Sequence, residues 1–246
     1  MTYCVGISVD AGLVFLSDSR TNAGVDQIST FRKLTVFERA GERVMVLMTA
    51  GNLAISQAAI SLLRERINAG DGTPSLMSAT NMSEAARHIG DAIREVHKRD
   101  AESLKEIGIE FNVSMIFGGQ IGGESPRLFN IYAAGNFIEA TIDTPYMQIG
   151  ESKYGKPIID RVVTRSSGLA KAAKCALISM DSTIRSNLSV GLPLDLVCIK
   201  RDALRVLSHV SVDSDHEYFN MIRSSWSESL RHAFHALPDP DWLARS

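Results

Sequence analysis

The chain has 246 residues, 45% of them hydrophobic and 22% charged, with a formal net charge of −2. That composition belongs to a globular protein long enough to bury a sizeable core, and the near-neutral charge offers no pull toward nucleic acid or an anionic membrane. No apolar run approaches the roughly 20 residues of a membrane span, and no basic segment with an apolar core opens the chain as a signal peptide would.

Taken in chain order, the pattern begins with two apolar runs, Thr2–Val9 and Leu13–Arg20, around the turn Asp10-Ala11-Gly12. This pattern predicts a β-hairpin with Asp18 and Arg20 at the end of its second strand. Phe31–Glu38 alternates and is β-branched, with Lys33 at its start, and Arg43–Ala50 reads as a further strand ending at Gly51. Two helices follow, one from Leu53 to Ile67 and one carrying Ala85, Ala86, Ile89, Ala92, Ile93 and Val96 at helical spacing, with Ser83 and Glu84 at its start. A second block of strands covers Phe111–Phe117, Arg127–Ala133, Phe137–Ile142 and Met147–Gly150. Helical stretches over 152–163 and 167–184, strands Leu194–Lys200 and Leu204–Val212, and a helix from His216 to Ala236 complete the chain. Blocks of strands separated by pairs of helices predict an α+β fold, two antiparallel sheets face to face with helices on both outer faces. With no linker, repeat or low-complexity tract, residues 1–246 read as one domain.

Thr2 is the residue with the most chemistry to offer. A small penultimate residue generally permits removal of the initiator methionine, which here leaves an N-terminal threonine. Its hydroxyl is a nucleophile, and its α-amine, titrating at roughly 7.7–8.0 in model compounds, can serve as the base. Thr2, Asp18, Lys33 and Gly51 lie at the ends or beginnings of successive elements, and in a sheet of hairpins such ends can converge on one edge.

These residues, with the opening Met-Thr-Tyr-Cys-Val-Gly and the run Ser17-Asp18-Ser19-Arg20-Thr21-Asn22-Ala23-Gly24, resemble the proteasome β-subunit family of N-terminal nucleophile hydrolases, closest to its bacterial Anbu (ancestral β-subunit) branch. The resemblance spans essentially the whole chain and implies a four-layer αββα sandwich. It implies Thr2 as nucleophile, Asp18 and Lys33 as the ion pair beside it, and Gly51 as the donor of an oxyanion-binding N–H. Arg20, Asn22 and Thr49 fall where such proteins meet substrate, Thr49 at the base of the specificity pocket. Where the family has a Gly-Ser-Gly turn, this chain reads Gly150-Glu151-Ser152. Its later Arg-Asp-x-x-Ser-Gly segment reads Arg185-Ser186-Asn187-Leu188-Ser189-Val190-Gly191. Ser189 matches the second serine, while Ser186 stands in place of the aspartate. The function implied is hydrolysis of peptide amides through an acyl-ester on Thr2, inside a homo-oligomeric ring or open helical array, with an unidentified unfoldase as a possible partner. A non-catalytic scaffold subunit and a hydrolase of small amides are the competing expectations. With no segment ahead of Met1, self-processing is not expected.

Other motifs point elsewhere only weakly. Gly118-Gly119-Gln120-Ile121-Gly122-Gly123 lacks the Lys-Ser/Thr of a phosphate-binding loop and reads as a turn between strands. His232 and His235 read as an exposed helix face, as do His88 and His97 among their charged neighbours. There is no Gly-x-Ser-x-Gly elbow. Cys4, Cys175 and Cys198 sit among apolar residues without Cys-x-x-Cys spacing, so buried free thiols in a reducing cytoplasm are expected, with no metal or cofactor.

If the amine of Thr2 is the base, the active species lacks Met1 and any Met1-retaining species is inert. Intact-mass measurement alongside turnover checks this, and full activity from a wholly Met1-retaining preparation would exclude the amine.

Overall fold

The computed structural model describes residues 2–22 and 28–242, with only the backbone described at Asn22 and Ile28. Met1, Ala23 and Gly24, which carry part of the sequence reading, lie outside them. The strands are β1 (Tyr3–Val9), β2 (Gly12–Asp18), β3 (Arg20–Asn22), β4 (Ile28–Thr30), β5 (Leu34–Arg39), β6 (Arg43–Gly51), β7 (Val113–Ile121), β8 (Arg127–Ile131), β9 (Phe137–Glu139), β10 (Tyr146–Gly150), β11 (Leu194–Lys200) and β12 (Val206–Val212). The helices are α1 (Leu53–Asn68), α2 (Met82–Glu106), α3 (Ser152–Val162), α4 (Leu169–Ser186) and α5 (Glu217–His235).

Two five-stranded antiparallel sheets form, in the orders β10-β1-β2-β11-β12 and β5-β6-β7-β8-β9, with β3 and β4 as a separate ribbon. Successive side chains on a strand point to opposite faces, so strands buried on both faces feed two cores at once. On β6, Val44, Val46 and Met48 face the other sheet, while Met45 and Leu47 face α1 and α2. On β1 and β2, Cys4, Leu13 and Phe15 enter the inter-sheet layer, and Tyr3, Val5, Ile7, Val14 and Leu16 pack toward α4 and its neighbours. Among the described residues three apolar clusters result, one between the sheets and one beneath each helical layer. The fold is the αββα sandwich.

Three local readings need correction. Arg20 does not prolong β2; Ser19 intervenes, its N–H and Oγ both donating to the Pro193 carbonyl, and Arg20 opens β3. Helix α2 starts not at Ser83 but on Asn81, whose side chain accepts from the Glu84 N–H, while the Glu84 carboxylate reaches back to the N–H and hydroxyl of Thr80. This is reciprocal capping. Gly118 and Gly119 lie within β7, and only Gly122 and Gly123 turn. A Cβ on Gly119 would come within 2.1 Å of the Val44 carbonyl oxygen, so these glycines permit close strand packing. The three cysteines are free and buried, with burial pushing Cys175 and Cys198 up to about 11. No described helix is long and apolar enough to cross a membrane.

Phe117 of β7 is fully buried and stacks on Phe129 at 6.2 Å between ring centroids. Phe117→Ala should cost about 3–5 kcal/mol of stability, measurable as a fall in the denaturant midpoint with the slope unchanged.

Candidate active site

Thr2, Asp18, Lys33 and Gly51 do converge. The antiparallel ladder pairs Tyr3 with Gly150 and Cys4 with Ser17, which brings the start of β1 beside the end of β10 and near the end of β2. The Thr2 carbonyl accepts the N–H of Glu151 at 2.8 Å. Gly150 has φ +79°, and a Cβ there would lie 1.8 Å from that same Thr2 oxygen. The turn after β10 therefore closes on the backbone of Thr2 in a way only glycine allows.

Asp18 ends β2 with no solvent exposure. Its Oδ1 accepts the Tyr3 N–H at 3.1 Å and the Lys33 ammonium at 2.8 Å. Burial, the largest influence, pushes the Asp18 carboxyl upward, opposed by the Lys33 charge and by the N–H groups of Tyr3 and Gly191. Lys33, just ahead of β5, donates also to the Arg20 carbonyl at 2.7 Å, and its own carbonyl accepts the Thr49 N–H. The ammonium is thus fixed by a carboxylate and a carbonyl, and β2, β3, β5 and β6 all contribute to its position.

Gly51 ends β6 with φ +105°, and a Cβ would come within 2.5 Å of the Asn112 carbonyl oxygen. Immediately after it, Asn52 caps α1, accepting from the N–H groups of Ala54 and Ile55. The amino end of α1 therefore starts beside Gly51 and presents positive backbone dipoles there.

These elements bound a cavity of about 300 Å³ whose lining includes Thr2, Arg20, Lys33, Thr49, Gly51 and Glu151. Asp18 is not part of its lining and stands behind Lys33. Thr49 is buried, with its carbonyl against the Cys4 thiol at 3.8 Å, and burial pushes that thiol above its ordinary range. Arg20 donates through Nη1 to the Leu188 carbonyl at 2.9 Å. The backbone of Asn22 belongs to β3, the strand that also carries Arg20. Ser189 lies between α4 and β11, its N–H donating to Asn187 Oδ1 at 2.9 Å, and it does not line the cavity. Ser186 is the last residue of α4. Asn112, Ser56 and Thr21 also line the cavity without having been singled out. The signal for Asn112 is the pairing of Gly51 with Val113, a contact across about sixty residues that no local pattern announces.

No family profile matches the chain, and no curated protein matches it either. Solved structures do. The chain is similar to Anbu (ancestral β-subunit) from Yersinia bercovieri, with 52% identity, a TM-score of 0.91 and coverage of 97% of this chain and 98% of that one. It is also similar to the Anbu helical assembly from Pseudomonas aeruginosa, at 50% identity and TM-score 0.92, covering 97% and 98% of the two chains. Anbu from Hyphomicrobium sp. strain MC1 follows at 49% identity and TM-score 0.90, covering 97% and 99%.

Gly150→Ala should destabilise the fold by more than about 1 kcal/mol, because it places a Cβ at positive φ against the Thr2 carbonyl. Thermal denaturation measures this. An unchanged midpoint would mean that the turn does not hold Thr2 in place.

Proposed function

The chain belongs to the Anbu, or ancestral β-subunit, family of proteasome-like proteins, and we propose that it is an N-terminal threonine hydrolase acting on peptide amides. The observation that carries this reading is the Lys33 ammonium, held at 2.8 Å by a buried carboxylate on the wall of a cavity that Thr2 also lines. In this mechanism, Met1 is removed and Thr2 Oγ attacks the amide carbonyl. The hydroxyl proton passes through water to the Thr2 α-amine. The Lys33 charge favours the developing alkoxide, and Asp18 keeps that charge in place. The Gly51 N–H receives the oxyanion, a donor role worth about 2.7–4 kcal/mol in comparable sites. The amine then returns its proton to the leaving nitrogen, the C–N bond breaks, and an ester on Thr2 remains. Water cleaves the ester and restores the hydroxyl.

Arg20, Asn22 and Thr49 take the substrate-contacting roles in this reading, and Ser189 supports the site from the loop before β11. The Anbu of Pseudomonas aeruginosa is described as a helical assembly, and we carry homo-oligomerisation over to this chain, in the cytoplasm. Exposed apolar side chains on α5, among them Met221, Leu230 and Phe234, are surfaces such contacts can use. An enclosed array would admit peptides and unfolded chains, and folded substrates would need an unfolding partner. A second reading, hydrolysis of a small amide, is favoured by the cavity volume of about 300 Å³, the lower end of the range for ligand sites.

An electrophile that reacts with N-terminal threonine, read by mass spectrometry, should label Thr2. Lys33→Arg should lower the labelling rate on the order of 100-fold, because a broad planar guanidinium does not replace a compact ammonium. Lys33→Ala alone strands the Asp18 charge at a cost of about 3–5 kcal/mol, so Lys33→Met with Asp18→Asn serves as the folded control and should also be unreactive. Near-normal labelling of either variant would make the pair structural.

A further inference from the structure

Glu151 precedes α3 at the capping position, yet its side chain caps nothing there. Its backbone N–H is spent on the Thr2 carbonyl, and the residue lines the cavity that Thr2 lines. The side chain is only 16% exposed, and its ion-pair partner among the described residues is Lys153, at 3.8 Å and 69% exposed. A pair so loose and so wet contributes little. The other charges of the cavity are disposed differently. Lys33 is already matched by Asp18. Arg20 is drawn toward the Leu188 carbonyl, and a Cβ on Gly191 would lie 2.3 Å from its guanidinium carbon, so this cation is seated on the Leu188–Gly191 loop and not against Glu151. What Glu151 brings to the cavity is a carboxylate weakly paired with protein.

We propose that Glu151 is a specificity-determining residue that selects substrates carrying a cationic nitrogen close to the scissile amide. This rests on the reading of Thr2 as the nucleophile. A partly buried carboxylate without a strong partner is costly to leave unmatched, and a substrate ammonium or guanidinium relieves that cost while adding a charge-assisted hydrogen bond. The cation can come from two sources, a basic side chain or the free amino terminus of a short peptide. A substrate carboxylate in the same position would be repelled. Lys153 competes for Glu151 from the solvent side and weakens the preference.

Matched dipeptidyl epoxyketones, which react with the hydroxyl and amine of an N-terminal threonine, test this. The set places lysine, norleucine or glutamate in one position, each with a free or acetylated amino terminus. The quantity read is the ratio of labelling rates, cationic to neutral, within each protein by intact mass. For the wild type the ratio should be about fivefold or more, with the glutamate compound slowest. It should fall to about one in Glu151→Gln, invert in Glu151→Lys and widen in Lys153→Ala. Acetylated lysine against free-amine norleucine tells which cation is read. Thr2 labelling with the same ratio in wild type and Glu151→Gln would overturn the selectivity alone. No labelling of the wild type by any compound would overturn the nucleophile reading, and the selectivity with it.

Discussion

Where the two sheets end side by side, an ammonium and a carboxylate withdrawn from water meet at 2.8 Å. Taking two such ions out of solvent costs several kcal/mol each, which their attraction repays only with good geometry and further hydrogen bonds. Those bonds are present in part. The Tyr3 N–H serves Asp18 Oδ1 and the Arg20 carbonyl serves Lys33, while the buried Asp18 Oδ2 meets no hydrogen-bond partner among the described residues. The pair is therefore a poor source of net stability and a precise way of holding one positive charge. Strands β1, β2 and β11 fix the carboxylate, while the carbonyls and amides of β3, β5 and β6 fix the lysine. Loss of register in either sheet would pull the two apart.

The glycines around the cavity serve the same constraint. Gly150 lets β10 close on Thr2, and Gly51 lets β6 turn into α1 against the Asn112 carbonyl. Both adopt positive φ, and both leave no room for a side chain. One brings Glu151 beside Thr2, the other places a backbone amide and a helix amino terminus at the same cavity. The shape of the cavity thus depends on two backbone positions as much as on the side chains beside them.

Much of this was legible in the residues. Thr2, Asp18, Lys33 and Gly51 each stand where an apolar or β-branched run begins or stops, and hairpin connectivity brings such ends to one edge. Alternation located β5, and continuous apolar runs marked β1, β2 and β6, whose residues are buried on both faces in distinct cores. What escaped was set by contacts distant in sequence. Gly118 and Gly119 looked like a turn because glycine usually punctuates strands, whereas here they answer to Val44 and Phe15 on neighbouring strands and sheets. The boundary of α2 fell on Asn81 because an asparagine capped the helix two residues ahead of the serine that competed for the role. Asn112 acquired its place only through the register of β7 on β6. Glu151 was visible as a departure from a familiar turn, but its position on the cavity wall depends on the β1–β10 ladder.

The most direct test of the account is a crystal structure of the Met1-processed protein after reaction with a threonine-directed acylating agent. The account predicts an ester on Thr2 Oγ, with the acyl oxygen about 2.7–3.1 Å from the Gly51 amide nitrogen and the Lys33 ammonium still bound to Asp18 and facing Thr2 Oγ. An adduct on another residue, or an acyl oxygen pointing away from Gly51 into solvent, would contradict it.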